Sequence, residues 1–173
     1  MSILYERTRF EPIKLRKVDE AERIKEYDEF LKRQGYPVSV DKMLLFWEHH
    51  FEAFETGYPN GYKKEGTIRY KQGMIRLPFG NKLLVYESKE FEEGKQPRGI
   101  ATIESVVITR LKGLTEEEWL KDGFVSQEDL LEQMRGYYPD LSLYSWVSLY
   151  KFKKYNPKPS KKEIKKLLDI INK

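Results

Sequence analysis

The stretch GYKKEGTIRYKQG, from Gly61 to Gly73, gathers Lys63, Lys64 and Arg69 around a Thr-Ile pair with the β-branched character of a strand. Thr67 and Arg69 stand two positions apart, so on a strand both face one side while Ile68 faces the other. Lys64 precedes that strand, and Gly66 permits the bend that swings its amine toward the same cleft. Such clustering makes a basic pocket, suited to something anionic or nucleobase-like. The same residues have plainer readings. Lys63 and Lys64 also suit a solvated turn, and Arg69 a cross-strand ion pair.

Aromatic residues add a second ingredient. Tyr137, Tyr138, Tyr144 and Trp146 suit a core, but one or two beside a cationic cleft would stack on a base, as aromatics do in single-strand binders. Tyr138 is the one placed at the site. Metal chemistry finds little support. The chain has no cysteine, and its two histidines, His49 and His50, are adjacent, about 100° apart on a helix and poorly placed to share an ion. Neither metal nor cofactor is expected. The formal net charge of +4 permits a nucleic-acid partner without requiring one. From Lys151 onward nine lysines face only Glu163 and Asp169, which leaves the rest of the chain slightly acidic. No apolar run approaches the roughly 20 residues of a membrane helix, and the N-terminus lacks a signal-peptide core. A cytoplasmic protein without membrane contact is the expectation.

The elements that must hold these residues follow from periodicity and caps. Ile24, Tyr27 and Leu31 share one face of a helix predicted over 19–34, ended by Gly35 and Pro37. A second helix is predicted from an N-cap at Ser39 to about Glu55, with Leu44, Trp47, Phe51 and Phe54 as an apolar stripe destined for the core. From Gly66 the period drops to two. Strands are predicted over 67–70, 82–87 and 100–111, and KEFEEGKQPRG between the last two reads as a loop. Thr115 with Glu118 makes a capping box for a short helix, and Ser126 caps another. Residues 142–152 read as a last strand, with Tyr144, Trp146, Tyr150 and Phe152 on one face and Val147 and Leu149 on the other. Ser160 and Glu163 form a further capping box before Ile164, Leu167, Leu168 and Ile171 at helical spacing. That helix either docks its apolar face and shows lysine to water, or reaches a partner. Grouped strands with helices before and between them give an α+β class with a mixed or barrel-like sheet.

With its elements in this order, the sequence resembles the ASCH domain (activating signal cointegrator homology), a small mixed β-barrel of the PUA-like superfamily with flanking helices. FWEHHFEAFETG leading into KEGTIR is similar to the family's helix and its lysine-x-x-Thr-x-Arg strand entry. PRGIATIESVVITRLKGLTEEEWLKDGFVSQEDLLEQMRGYYPD follows the family's order of returning strand, capped helix, acidic-Gly-Phe step and helix ending at Tyr-Pro. YSWVSLYKF matches its last strand. Lys64, rather than Lys63, keeps Thr67 and Arg69 in step with the motif. The resemblance spans roughly 39–152. It implies an N-terminal helical extension over 1–38, an ASCH/PUA-like domain over 39–155 and a lysine-rich C-terminal helix over 156–173.

In ASCH-like amidohydrolases that deacetylate N(4)-acetylcytidine, the lysine and threonine at these positions act with a carboxylate from the loop between two short helices. That carboxylate is a glutamate in those enzymes and Asp122 here. The resemblance thus implies Lys64, Thr67 and Asp122 as catalytic residues: an amine that activates water or attacks an amide, a hydroxyl that assists, and an acid that shuttles the proton. Asp122 before Gly123 also suits a plain turn. A lysine crowded by Lys63 and Arg69 and partly desolvated falls below its usual pKa of ~10.4, as a base or nucleophile at neutral pH requires.

Three functions stay open on these grounds. The first is a non-catalytic module that binds RNA, a nucleotide or a modified nucleobase with Lys63, Lys64, Thr67, Arg69 and Tyr138 in a cationic cleft. The second is a hydrolase, either an amidohydrolase on a modified nucleoside or a ribonuclease, using Lys64, Thr67 and Asp122. The third is an interaction protein that docks a partner through its terminal helices. Both site-based readings require Lys64, Thr67, Arg69 and Asp122 to meet around one hollow.

Overall fold

A computed structural model of the chain describes residues 4–8, 11–14, 43–70 and 81–171; the helix predicted over 19–34 and the cap at Ser39 lie outside them. Two long strands organise the fold. β6 (Gly99–Arg110) and β7 (Trp146–Asn156) pair antiparallel from Ile100↔Asn156 to Arg110↔Trp146. Register shifts on either side of Ile103 bulge and bend this pair. The bend divides the other edge of β6 between two partners. β5 (Lys82–Glu87) pairs antiparallel with its first part, through Val85↔Gly99 to Lys82↔Thr102, while β1 (Leu4–Thr8) runs parallel beside Val106 to Ile108. β2 (Glu11–Lys14) forms a hairpin with β1. β3 (Met43–Phe46) lies parallel to β5, and β4 (Gly66–Arg69) antiparallel to β7. The path β3-β5-β6-β7-β4 is a five-stranded sheet curled into a half-barrel.

Alternation along each strand decides what the curl encloses. Leu83 and Val85 of β5, Ile103 and Ile108 of β6, and Trp146, Tyr150 and Phe152 of β7 form the inner core with Leu44 and Phe46 of β3. Val147 and Leu149 point outward with Ile68 and Val107. There they meet Leu130 and Met134 of a helix over Gln127–Arg135, capped by Ser126 as its sequence predicts. The residues on the other side of β5, Leu84 and Tyr86, are covered by Leu167 and Leu168 from the helix Lys161–Ile171. Of the two readings of that lysine-rich helix, docking on its own sheet is the one observed. The leucines at 167 and 168 are held against the sheet and the lysines at 161, 162, 165 and 166 face water.

Two expectations are corrected. The helix predicted from Ser39 to Glu55 is only α1, His49–Glu55; Met43–Phe46 is a strand. Leu44 and Phe46 fit a period of two, while Leu44 with Trp47 and Phe51 also fits a helical stripe. The open edge of β5 offers four residues of backbone pairing that a helix there would forgo. The stretch read as a loop after β5 begins with a short helix, α2 (Ser88–Glu92). Its cap is Glu87, whose carboxylate accepts from the Glu90 amide at 2.8 Å.

The capping box at Thr115 and Glu118 is formed and starts α3 (Glu116–Leu120); α4 is the Ser126-capped helix and α5 the lysine-rich one. Glu118 has a further role. Its buried carboxylate takes both Arg7 guanidinium nitrogens, at 2.6 and 2.9 Å, and Lys151 approaches at 3.2 Å. Burial alone would raise its pKa. The Arg7 hydrogen bonds, the Thr115 amide and the nearby cations overcome this and hold it at about 2. That lies below the ~4.3 of an unfolded chain, so the stabilisation is complete above roughly pH 5 and is lost as pH falls toward 2. Glu118→Gln is expected to lower the unfolding free energy at pH 7 by about 3 kcal/mol and to flatten this acid limb. Urea unfolding at a series of pH values measures both effects.

Candidate functional site

The turn after α1 delivers Lys64. Gly57 and Gly61 both adopt positive φ, 90° and 89°, and between them Tyr58 and Tyr62 close a hairpin through the Tyr58 amide and the Tyr62 carbonyl at 2.8 Å. The Asn60 amide group donates to the Leu120 carbonyl at 2.9 Å and ties this turn to the end of α3. Lys64 then donates its backbone N–H to the Ala53 carbonyl of α1 at 2.9 Å, and Glu65 donates to the Lys121 carbonyl. Thus anchored, Lys64 turns its side chain inward, where no part of it is exposed.

Its amine meets the Asp122 carboxylate at 2.6 Å, donates to the Gly66 carbonyl at 3.1 Å and lies 4.6 Å above the Phe46 ring. Asp122 closes α3, and its second oxygen accepts the Ile68 amide at 3.0 Å. Among the described residues β4 pairs with β7 alone, so Asp122 also satisfies an edge amide that this pairing leaves open. Burial pulls the Lys64 amine below its usual pKa, more strongly than the Asp122 charge and hydrogen bond restore it; Arg69 adds to the fall. The arrangement is a lysine and a carboxylate sharing a proton across a short hydrogen bond, out of water.

Thr67 and Arg69 share the inner face of β4, as their spacing predicts, with Ile68 on the outer one. The Arg69 Nε donates to the Thr67 hydroxyl oxygen at 3.1 Å, its Nη2 donates to the Leu45 carbonyl of β3 at 3.1 Å, and its guanidinium stacks 4.9 Å from the Phe46 ring. Thr67, Arg69 and Asp122 border one cavity of about 290 Å³ that Phe124, Tyr137 and Tyr138 also line. Tyr138 packs edge-on against Tyr70, with ring centroids 5.2 Å apart. Lys64 does not line this cavity and reaches it only through its contact with Asp122. Lys63 points elsewhere: it is exposed beside a separate groove of about 200 Å³ with Lys153, Lys154 and Tyr155. Four of the expected residues are therefore brought together, and Lys63 is not among them.

Sequence reasoning passed over His50 and Tyr58. His50 borders the same cavity, and its Nδ1 is 2.7 Å from the Tyr58 hydroxyl. Burial, together with the Lys64, His49 and Arg69 cations, pushes the His50 pKa down to about 2, so the ring is neutral. Burial and the Asp122 charge raise that of Tyr58, which keeps its proton. The Tyr58 ring lies against Gly123, where an added Cβ would come within 2.8 Å of it and where φ is +91°. A glycine after Asp122 is thus required twice over. Neither residue had a periodic or motif signal; Tyr58 lies 64 residues before Asp122, and that contact leaves no trace in sequence.

Among the described residues, Glu48, Glu87 and Glu90 bring carboxylate oxygens within 4.8 Å of one another. Arg98 already pairs with Glu48 and Glu90 there. No described helix is long and apolar enough to cross a membrane. The buried pair has a measurable signature. Lys64→Met and Asp122→Asn are each expected to cost about 3 kcal/mol, and the double variant at least ~1 kcal/mol less than their sum, in urea unfolding at pH 7. Strictly additive costs would mean that the two groups are not coupled. Compared with known proteins, the chain matches no family model, no curated protein and no solved structure.

Proposed function

We propose that the chain is an ASCH-type hydrolase that cleaves the N-acyl amide of a modified nucleobase or nucleoside, of the kind exemplified by N(4)-acetylcytidine. The observation that carries this reading is the buried Lys64–Asp122 pair, 2.6 Å apart, whose carboxylate borders a small cavity also lined by Phe124 and Tyr138. A volume of about 290 Å³ lies at the small end of ligand pockets, which run from roughly 300 to 1,000 Å³. It suits a single heterocycle with its substituent. Tyr138 and Phe124 supply ring faces for it.

The chemistry follows from the proton between the pair. The buried Lys64 amine holds the Asp122 carboxylate at 2.6 Å, beside the cavity that Asp122 borders. Asp122 takes a proton from a water in the cavity, and the resulting hydroxide adds to the acyl carbon. The Thr67 oxygen already accepts from Arg69, so its own O–H is free to donate to the acyl oxygen. Asp122 returns its proton to the departing exocyclic amine as the C–N bond breaks. Water is consumed, and a carboxylic acid and the unmodified amine are formed. The expected outcome is release of cytidine and acetate from N(4)-acetylcytidine by the wild-type chain, followed by chromatography, with Lys64→Met reduced ~1000-fold while its circular dichroism stays native. Equal turnover in that variant would remove Lys64 from the chemistry.

A second reading rests on the separate groove. Lys63, Lys153 and Lys154 stand around Tyr155, whose ring stacks on Phe54 at 3.9 Å. Cations beside an aromatic pair fit the backbone of single-stranded RNA. Three phosphate contacts predict a slope of about −2 for log K against log salt. Fluorescence anisotropy with a short RNA would give this slope. Replacing the three lysines with alanine should flatten it, and an already flat wild-type plot would count against RNA.

A further inference from the structure

The proposed hydrolysis leaves one group at the cavity unused. His50 borders the same space as Thr67 and Asp122, and its Nδ1 is occupied by the Tyr58 hydroxyl at 2.7 Å. Its Nε2 has no protein hydrogen-bond partner among the described residues. A phenol is the stronger acid of the two groups and an imidazole nitrogen the better acceptor, so the favoured arrangement has the Tyr58 O–H donating to Nδ1. That leaves the proton of a neutral imidazole on Nε2. We propose that His50, locked by Tyr58 as the neutral Nε2–H tautomer, donates a hydrogen bond to the acyl oxygen of the substrate and stabilises the oxyanion formed there. The inference rests on the hydrolase reading and adds a catalytic residue and a positioning residue to it.

Several independent contacts hold the pair in place. His50 lies on α1, with its ring 5.7 Å from Phe46 and edge-on to Tyr58 at 84°. Tyr58 is fixed from the other side by Gly123, the residue after Asp122. The charged and titratable groups facing His50 are Lys64 and Arg69 from the strand side, His49 on its own helix, Tyr58 from the turn and Asp122 behind Tyr58. The cations among them disfavour an imidazolium, so the ring stays a donor at one nitrogen and an acceptor at the other. A neutral histidine used as an electrophile avoids the loss that would follow if it protonated and surrendered its orientation to Tyr58. With the Thr67 hydroxyl bordering the same cavity, the acyl oxygen would receive two donors, as oxyanion sites commonly provide.

The test uses the full chain labelled with ¹⁵N-histidine, together with kinetics on N(4)-acetylcytidine. The expected spectrum shows one ring with an unprotonated Nδ1 and a protonated Nε2, unchanged from pH 5 to pH 8. Tyr58→Phe should convert that ring to a tautomer mixture and slow turnover by about 10-fold. His50→Phe, which fills the space without a donor, should lower kcat by about 100-fold with little change in KM, and His50→Gln should recover part of it through its amide N–H. A ring protonated at Nδ1, or one that titrates near 6.5, overturns the inference while leaving the hydrolase reading intact. An active His50→Phe enzyme does the same. A wild-type chain that releases no cytidine overturns the hydrolase reading, and with it the role given to His50, whatever the tautomer.

Discussion

The carboxylate of Asp122 meets two demands at once, and the site exists because it does. The Lys64 amine has no access to water, and an ammonium buried without a counter-charge costs several kcal/mol. The Ile68 amide lies on the side of β4 that has no neighbouring strand, where an unsatisfied donor costs about 1–3 kcal/mol. One oxygen of Asp122 serves each. Its position is inherited from α3, whose start is set by the Thr115–Glu118 capping box and whose Glu118 is clamped by Arg7 from β1. Strand β1, helix α3, Asp122, Lys64 and β4 therefore form one continuous chain of polar contacts, laid across a core that is otherwise apolar.

The seam between β3 and β4 explains why there is a cavity here at all. Each of these strands ends the five-stranded path with one partner, β5 or β7, and they do not pair with each other. A ladder between them would close the barrel and fill its mouth with side chains. Instead Arg69 reaches from β4 to the Leu45 carbonyl of β3, a side chain doing across the gap what a backbone bond would do within a sheet. The gap stays open by the width of that side chain, and the Phe46 ring supports the guanidinium and the Lys64 amine alike. The arginine that spans the seam thus also borders the cavity. A ligand that drew Arg69 toward itself would also loosen the seam.

Much of this was legible in sequence wherever a local rule governs. The caps at Thr115, Ser126 and Ser160 are read from residues three apart, and the structure forms each of them. Thr67 and Arg69 share a face because the pleat requires it. The convergence of Lys64, Thr67, Arg69 and Asp122 was anticipated from spacing and resemblance, whereas Lys63 differs from Lys64 only in facing the other way. What local rules could not reach was decided by tertiary pairing. Residues 43–46 became a strand because β5 had an unpaired edge to offer, and Arg7 found Glu118 across 111 positions of sequence. The His50–Tyr58 pair belongs to the same class: its partners are eight residues apart, but their placement beside Lys64 depends on Gly123, which arrives from the far side of the domain.

Burial acts on two bases in this hollow and leaves them in different states. In water, lysine and histidine would both accept protons, at about 10.4 and 6.5. Here desolvation lowers both, but only Lys64 has a carboxylate against it; His50 has a neutral phenol and three cations in its surroundings. The consequence is a division of labour set by counter-ions rather than by residue type. Lys64 keeps a partner with which a proton can be exchanged over 2.6 Å, and His50 is confined to the neutral form, able to donate a hydrogen bond without taking part in proton exchange. Among the described residues here, a carboxylate faces the amine and a phenol faces the imidazole, and that difference in partner is what sets the two buried bases apart.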